Sequence, residues 1–539
     1  MDLSVIVPIY NTEPWLTECL DSAAAAVKGL DAEVILVDDG STDNSGKIAK
    51  EYSENNPQFI YIHKENSGLS STRNYAISLS RGKYLAFLDS DDMVACWLYK
   101  DMLELAEKNR TPLTICNATR IDDSGKATVW PIGKKAFMGR PESVSSIRRN
   151  PNLVYDTSVV NKLVLKEFWN KHGLSFADGF TFEDLPVSIR MHWYAENVSV
   201  IHRFGYYYRI RKKGEKSITQ QTHSISSLED RIHQEYDLLS FIKEHLSEPG
   251  AKEILFTVQK RLACSSFERR INDLYLAKKS TREQIVSLIG DFFRKEIHED
   301  VLDVIPSYHA QKARCIMSGD IDRLIRLVNH KSMAWNTAPV KEISGGYKMI
   351  LPEDIYNISM TDASKEYQFS IPQTSITDIS LEGSSLTLEI TLYHPRIDLP
   401  DPGSQKVSAF FYNDMTGNFV DIATSPIPSP NLTKKKGMKI CLDDYRVYNY
   451  NYDNAGYRLT ADLSQLRDKG KGPWLICLDY ATPISKGNRI LRGIGPAARK
   501  YIDKELGKIQ LSEIDEAGQD IFRAAYDLRQ TFYIESLSD

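Results

Sequence analysis

Short, uninterrupted apolar runs recur through the N-terminal part of the chain, and several end in acid. Tyr84-Leu85-Ala86-Phe87-Leu88 reads as a strand buried on both faces, Leu3-Ser4-Val5-Ile6-Val7-Pro8 as another buried strand, and Glu33-Val34-Ile35-Leu36-Val37 and Phe59 to Ile62 as two further strands. Pro8 cannot donate to a ladder, so the first strand is expected to stop there and release Ile9-Tyr10-Asn11 as a loop. Thr12 or Glu13 then opens a helix with Pro14 in its first turn and Leu16, Leu20, Ala23 and Val27 on one face. A second helix is predicted over Leu69 to Ser80. Strands alternating with helices at this spacing predict an α/β unit with a mostly parallel sheet and right-handed crossovers.

Past residue 110 the pattern loosens. Leu113 to Cys116 is a further strand, Asp122-Asp123-Ser124-Gly125 a hairpin turn, and Phe176 to Phe182 leads into Glu183-Asp184-Leu185-Pro186 and a helix from Leu185 to Ala195. From about 224 to 330 the apolar period is helical: Ile232, Tyr236, Leu239 and Leu246, then Leu255, Val258, Leu262 and Phe267, are expected packing faces. Lys331 to Gly346, with Pro339, Gly345 and Gly346, reads as a linker. Beyond it the period becomes two, in Leu386, Leu388, Ile390 and Leu392 and again in Met438, Ile440 and Leu442, while Trp474 to Tyr480 is a further apolar strand. Such strands, separated by Gly/Pro/Asn/Asp turns, predict one or two β-sandwiches. Three parts are therefore expected: 1–220 as the α/β domain, 221–335 as a helical support and linker, and 336–539 as a β-sandwich tail.

Composition narrows the function classes. A chain of 539 residues exceeds one ordinary core. Its net charge of −5 gives no nucleic-acid signature. Seven cysteines without CxxC spacing fit reduced thiols rather than a disulfide or zinc framework. No leader precedes the first strand and no apolar run reaches ~18 residues, so a cytoplasmic protein is expected. A peripheral position at the inner face of a membrane is compatible with this.

Candidate chemistry lies where the strands end, because open α/β sheets bind ligands at that edge. Asp38-Asp39 follows the second strand, and Asp89-Ser90-Asp91-Asp92 the fourth. Carboxylates at a strand end can hold Mg²⁺ or Mn²⁺ and, through it, a diphosphate, although Asp is also a common turn and cap residue. GxGxxG is missing after the first strand, which sets aside a dinucleotide-binding Rossmann domain, and there is no P-loop. A phospho-acceptor receiver lacks a second acidic strand end of this kind.

Taken in order, Pro8, Tyr10 and Asn11, then Val37-Asp38-Asp39-Gly40-Ser41-Thr42-Asp43, then Asn66-Ser67-Gly68-Leu69-Ser70-Ser71-Thr72-Arg73-Asn74, then Asp89-Ser90-Asp91, resemble the family 2 inverting glycosyltransferases with a GT-A fold. The resemblance covers about residues 1–220. It implies that Pro8, Tyr10, Asp39 and Asn66 surround the nucleobase and ribose of a UDP-sugar and that Arg73 reaches the diphosphate. Asp89 would meet ribose or sugar hydroxyls, and Asp91 would ligate Mn²⁺ or Mg²⁺.

Inverting transfer needs one base for the acceptor hydroxyl. Resemblance assigns it to Asp184, with Glu183 beside it; Asp184 also suits a helix cap, and a helix start is expected to hold its pKa down. Asn161-Lys162-Leu163 and Phe168 look like the stretch leading to that pair. Tyr206 to Thr219, with Arg209, Arg211 and Ser217, looks like the segment that folds over the diphosphate, although Glu215 and Lys216 separate Gly214 from Ser217.

The tail resembles loosely the β-sandwich (immunoglobulin-like) tails of enzymes that decorate bacterial polymers. The expected activity is metal-dependent transfer of a hexose or N-acetylhexosamine to a surface polysaccharide, a teichoic-acid-like polymer, a capsular polymer or a lipid-linked glycan. Tyr445, Tyr448, Tyr450 and Tyr452 suit sugar stacking or a subunit interface, and a homo-oligomer formed through the tail is expected. The alternatives are a non-catalytic carbohydrate-binding or scaffold protein on a nucleotide-sugar fold, and a nucleotidyltransferase.

Overall fold

A computed structural model describes residues 1–123, 127–132, 134–212, 224–343, 346–367, 372–443, 446–491, 508–514, 520–526 and 532–536. The chain forms two compact units, one of Met1–Phe137 with Glu142–Thr257 and one of Met138–Pro141 with Val258–Asp539.

The first unit opens with β1 (Leu3–Ile9), α1 (Glu13–Val27), β2 (Ala32–Asp39), α2 (Ser45–Asn55), β3 (Phe59–Lys64), α3 (Leu69–Leu79) and β4 (Tyr84–Phe87). It continues through β5 (Met93–Val94), α4 (Leu98–Asn109), β6 (Leu113–Asp122), β7 (Ala127–Ile132), β8 (Val144–Ser145), β9 (Lys162–Leu165), α5 (Lys166–Lys171), α6 (Asp184–Tyr194), β10 (Val198–Ile210) and α7 (Ile225–Glu244). The sheet runs β3-β2-β1-β4-β9-β6-β10-β5. Its first four strands are parallel, as the alternation of strand and helix requires, and β9 lies antiparallel to both β4 and β6. Every residue of β1, β2 and β4 is buried, because helices cover both faces.

Two details differ from expectation. The first strand does not stop at Pro8 but pairs through it to Ile9, with Pro8 opposite Val37. Pro8 shares the side of Ile6, whose carbonyl accepts from Leu88 N–H at 2.9 Å, so its missing N–H faces a point where β4 has already ended. Beyond Cys116, β6 continues to Asp122 and pairs antiparallel with β7. The chain therefore reverses between them, although Ser124 and Gly125 of the expected turn lie outside the described residues.

The second unit begins with helices, among them Lys279–Glu296, Ser307–Ser318 and Ile321–Met333. The expected linker is not one. Residues up to Met333 are helical, Val340–Ile343 pairs with Gly346–Ile350, and Trp335, Ala338 and Val340 join Tyr308, Met349 and Tyr356 in a core. Pro339 and the glycines signalled a break in helical period, not a break in packing. Gly345 itself lies outside the described residues.

Ten antiparallel strands follow, in the order Gln373–Glu382, Ser385–Tyr393, Gly456–Asp462, Phe419–Ile427, Lys406–Asn413, Gly472–Ala481, Phe532–Ser536, Asp520–Tyr526 and Lys508–Ile514, with Lys486–Ile490 also on Gly472–Ala481. Leu388, Phe411, Trp474 and Ile534 meet in one cluster although their strands are not all neighbours, so the sheet folds over its own core as a sandwich does. Leu386, Leu388, Ile390 and Leu392 all point into it. Met438, Ile440 and Leu442 do not, since they lie on or beside a two-stranded hairpin and are exposed. Tyr450 and Tyr452 are buried rather than exposed, in a small core with Tyr393, and Tyr445 lies outside the described residues.

Candidate active site

The site is built around the end of β4. Asp89, Asp91 and Asp92 leave the strand together but go to different surroundings. Asp92 is buried and structural: its carboxylate accepts from Tyr206 Oη at 2.6 Å and from the Arg209 N–H at 2.7 Å. Burial, reinforced by the charges of Asp91 and Asp89, pushes its pKa well above the carboxylate range. Asp91 Oδ2 accepts from Arg211 Nε at 2.6 Å. Asp89 remains partly exposed and pairs with Arg73 at 2.6 Å.

These contacts explain the length of β10. Its irregularities between Ile201 and Tyr206 let it pass β6 and deliver Tyr206, Arg209 and Arg211 beneath the acidic turn. Arg209 is turned inward, with Nε on the Asp91 carbonyl at 2.8 Å and Nη2 on Glu18 at 2.6 Å. It fixes the backbone of the turn. Arg211 lies over the Trp15 ring at 4.4 Å and is the cation that meets the Asp91 side chain.

Arg73 joins the two halves of the site. It is 3% exposed, and it bonds Asp89 with one nitrogen and Glu183 with the other. Arg73 and Glu183 are 110 residues apart, and through this one guanidinium the end of β4 is tied to the start of α6. Phe182, just before the acidic pair, has φ +63, a conformation that costs a bulky residue energy and persists only where the surroundings impose it. The Arg231 guanidinium sits over its ring at 5.0 Å. Asp184 is the first residue of α6, and the N-cap position before it, Glu183, makes no side-chain capping bond. Its pKa is not held down as a helix start alone would suggest: burial first, and then the Glu183 charge, push it up to about 7.

At the same C-terminal edge of the sheet, two strands from β4, the acids of β2 divide their work. Asp38 accepts from the Ser41 N–H at 2.9 Å and from Tyr61 Oη at 3.1 Å, which fixes its own turn. Asp39 accepts from the Ser67 and Gly68 N–H groups, each at 2.9 Å, and from Lys64 Nζ, and so holds the loop that opens α3. Gly40 allows that approach: at φ +73, a Cβ there would stand 3.0 Å from the Asn66 nitrogen. Asn66 is exposed on this loop, while Tyr10 is 49% exposed beside buried Pro8. Asn11, at φ +50, accepts from the Thr42 N–H at 2.8 Å and stitches the two loops together. Ser217 lies outside the described residues.

One set of residues has no catalytic signal in the sequence yet supports α6 from behind. Asp156, Lys162 and His192 are all buried, with Lys162 Nζ and His192 Nε2 at 2.7 and 2.9 Å from Asp156 Oδ2, and Asn161 Nδ2 donating to Oδ1 at 2.9 Å. Burial, the largest influence, opposes ionisation of Asp156, but Lys162 and His192 outweigh it and hold the carboxyl down at about 2. Breaking such a pair leaves a buried charge uncompensated, so Asp156→Asn is expected to cost about 3–5 kcal/mol. Because the folded pKa lies below the unfolded one, this stabilisation is present above about pH 3.9 and is lost as pH falls toward 2. Urea titrations should show a constant gap between wild type and Asp156→Asn from pH 5 to 8, narrowing in more acid solution. A gap that widens on acidification would count against this account.

Among the described residues no group of three or more His, Cys, Asp or Glu side chains forms a closed metal site. The carboxylate oxygens of Asp91 and Asp89 suit a hard cation that completes its shell with substrate phosphates and water, which is the ordinary manner of Mg²⁺. Among the described residues no helix is long and apolar enough to cross a membrane.

Comparison with known proteins places this geometry among others. Residues 4–172 match the profile of glycosyl transferase family 2. The uncharacterized glycosyltransferase EpsJ of Bacillus subtilis is 29% identical over 251 residues, 46% of this chain and 72% of that protein. The minor teichoic acid biosynthesis protein GgaB of the same organism is 27% identical over 222 residues, 40% of this chain but 24% of GgaB. The crystal structure of S. aureus TarS 1–349 in complex with UDP-GlcNAc aligns over 66% of this chain and 97% of its own length, with a TM-score of 0.51 and 21% identity. A second crystal structure of S. aureus TarS aligns over 100% of this chain and 85% of its own, with a TM-score of 0.50 and 17% identity.

Proposed function

We propose, from the match of residues 4–172 to glycosyl transferase family 2, that this chain moves a hexose or N-acetylhexosamine from a UDP-sugar to a hydroxyl of a bacterial surface polymer, inverting the anomeric carbon. The observation that carries the reading is the Arg73 clamp, which puts the strand-end acid Asp89 and the acidic pair Glu183-Asp184 in one site. The UDP-GlcNAc complex of TarS supports the donor class, and the teichoic acid named for GgaB supports the acceptor class.

In this reading Asp184 is the base. Glu183 is committed to Arg73, whereas Asp184 has no salt-bridge partner among the described residues and a pKa of about 7, suited to taking a proton near neutrality. Its carboxylate removes the acceptor proton as the hydroxyl attacks the anomeric carbon and the bond to the UDP oxygen breaks. Asp91, with Asp89 beside it, would hold Mn²⁺ or Mg²⁺, and the ion supplies positive charge to the departing diphosphate. Tyr10, Pro8, Asp39 and Asn66 receive uridine. Oδ1 of Asp39 already accepts from the Ser67 N–H and Lys64 Nζ, but Oδ2 accepts only from the Gly68 N–H and keeps a lone pair for a uracil N–H. Arg73 acts on the diphosphate side by positioning Asp89, and Arg211 is the cation nearest the metal ligand.

A cytoplasmic location and a homo-oligomer formed through the tail belong to the same proposal; the exposed Met438, Ile440 and Val447 of the hairpin offer an apolar surface for a second copy. Light scattering on the full chain checks the oligomer, and a monomer at micromolar concentration would end that part.

The activity itself is tested by incubating the full chain with Mn²⁺ and a panel of nucleotide sugars, measuring nucleotide release. UDP release from one or more UDP-sugars is expected. Binding without release would mark a carbohydrate-binding or scaffold protein, and pyrophosphate release a nucleotidyltransferase.

A further inference from the structure

The second unit holds a cavity of about 440 Å³ whose lining combines charge and rings in an unusual balance. Arg396, Lys436 and Lys439 supply three cations, and Trp335, Tyr367 and Tyr393 supply aromatic wall. Among the described residues no carboxylate forms an ion pair with any of the three cations. Lys436 is exposed, but Arg396 is 6% exposed, and a guanidinium so placed normally has a counter-charge.

The fold goes to some length to hold Arg396 there. Its backbone has φ +70, its N–H donates to Tyr452 Oη at 2.7 Å, and its Nη1 donates to the carbonyls of Trp335 and Ala338 at 2.9 and 2.6 Å. Its Nε is buried with no hydrogen-bond partner. A strained residue carrying an unneutralised, partly unsatisfied cation in a cavity wall points to a ligand that supplies the missing oxygen. Glu366 adds the complementary demand. Its Oε1 accepts from the Ser307 N–H and from Thr361 Oγ1, while Oε2 is buried without a donor. A ligand that satisfies both walls has an anionic oxygen for the cations, a hydroxyl for Glu366, and C–H surface for the rings.

We propose that this pocket binds the phosphate ester of a polyol or sugar, with Arg396, Lys436 and Lys439 on the phosphate and Glu366 on a hydroxyl. The cavity has room for one such unit. The assignment deepens the function proposed above, since a polymer joined by phosphate esters is an acceptor that would engage it, but it does not depend on turnover.

Titration calorimetry on the full chain, with glycerol 3-phosphate, glycerophosphoglycerol and glycerol as probes, tests it. At least one phosphate ester should bind and glycerol should not. Lys436→Gln combined with Lys439→Gln should weaken that binding tenfold or more and steepen no salt dependence, while UDP release from the donor stays within twofold of wild type. Glu366→Gln should weaken it as well. Preference for the monoester identifies a free small phosphate as the source, and preference for the diester identifies a phosphate-linked polymer; either supports the site. Equal binding of glycerol, no binding of either ester, or an affinity unchanged in the double variant would overturn it. Esters that bind a chain releasing no UDP would leave the pocket standing and remove the catalytic reading.

Discussion

Asp184→Asn is expected to lower turnover by about 10²-fold or more while UDP-sugar affinity stays nearly constant, and at the same time to make the folded chain more stable at pH 8. Asn keeps the size of the side chain but cannot accept the acceptor's proton. The stability gain follows from the sign of the shift. The folded pKa of about 7 lies above the unfolded value, so between about pH 4 and 7 the folded state binds more protons than the unfolded one. Stability therefore falls as pH rises through that window, and above it the full cost of ionising a carboxyl beside Glu183 is present. A neutral Asn escapes that cost, and roughly 1–3 kcal/mol of stabilisation is expected at pH 8, vanishing near pH 4. Single-turnover kinetics and urea titrations of the same variant read the two effects separately. Wild-type turnover in Asp184→Asn would move the base elsewhere, with Glu183 next to be tested; a variant less stable than wild type at pH 8 would contradict the account of the raised pKa.

The parts of this protein that could be read from residues alone are those whose signal is local. Short apolar runs located β1 to β4, and period-two alternation located Ser385–Tyr393, because burial on both faces or on one leaves a pattern within a few neighbouring positions. What failed depended on partners far along the chain. Pro8 stays in a strand because β4 ends early; Trp335 and Val340 pack because residues from Tyr308 to Ile484 close around them. Tyr450 and Tyr452 are adjacent to an exposed hairpin in sequence but lie under Tyr393 in space.

The site divides in the same way. Asp39, Asp89, Asp91 and the Glu183-Asp184 pair were visible as acids at element ends, whereas the direction of the Asp184 shift was not, since a helix start and burial push oppositely and only packing tells which wins. Asp92 and Tyr206 stand in stretches whose residues point to the site, but their mutual hydrogen bond leaves no local signal, and neither does the pairing of Asp156 with His192. Nothing marks a buried Asp in a sequence as paired until its cation is found; Asn161-Lys162 reads only as a family stretch, whereas in the structure Lys162 neutralises Asp156 and Asn161 donates to it.

The remaining large effect is expected at Asp91. Asp91→Ala should abolish the Mn²⁺-dependent part of UDP affinity, a loss of tenfold or more by calorimetry, and turnover with it, without unfolding the chain. The fold tolerates the change because the turn is secured by other groups: Arg209 holds the Asp91 carbonyl and Asp92 holds the Arg209 N–H, and neither contact uses the Asp91 carboxylate. That carboxylate instead meets Arg211, stacked over Trp15. A divalent ion held by Asp91 would contend with Arg211 for the same oxygens, so Arg211→Ala should strengthen Mn²⁺ binding measured without nucleotide, the opposite of what is expected of Asp91→Ala. With UDP present the order changes, because a guanidinium displaced from Asp91 would turn to the diphosphate, and Arg211→Ala should then bind Mn²⁺-UDP more weakly than wild type. Full UDP affinity in EDTA, or in Asp91→Ala with Mn²⁺ present, would remove Asp91 from the metal site, whereas an Arg211→Ala variant indifferent to nucleotide would reduce Arg211 to a structural partner of the carboxylate.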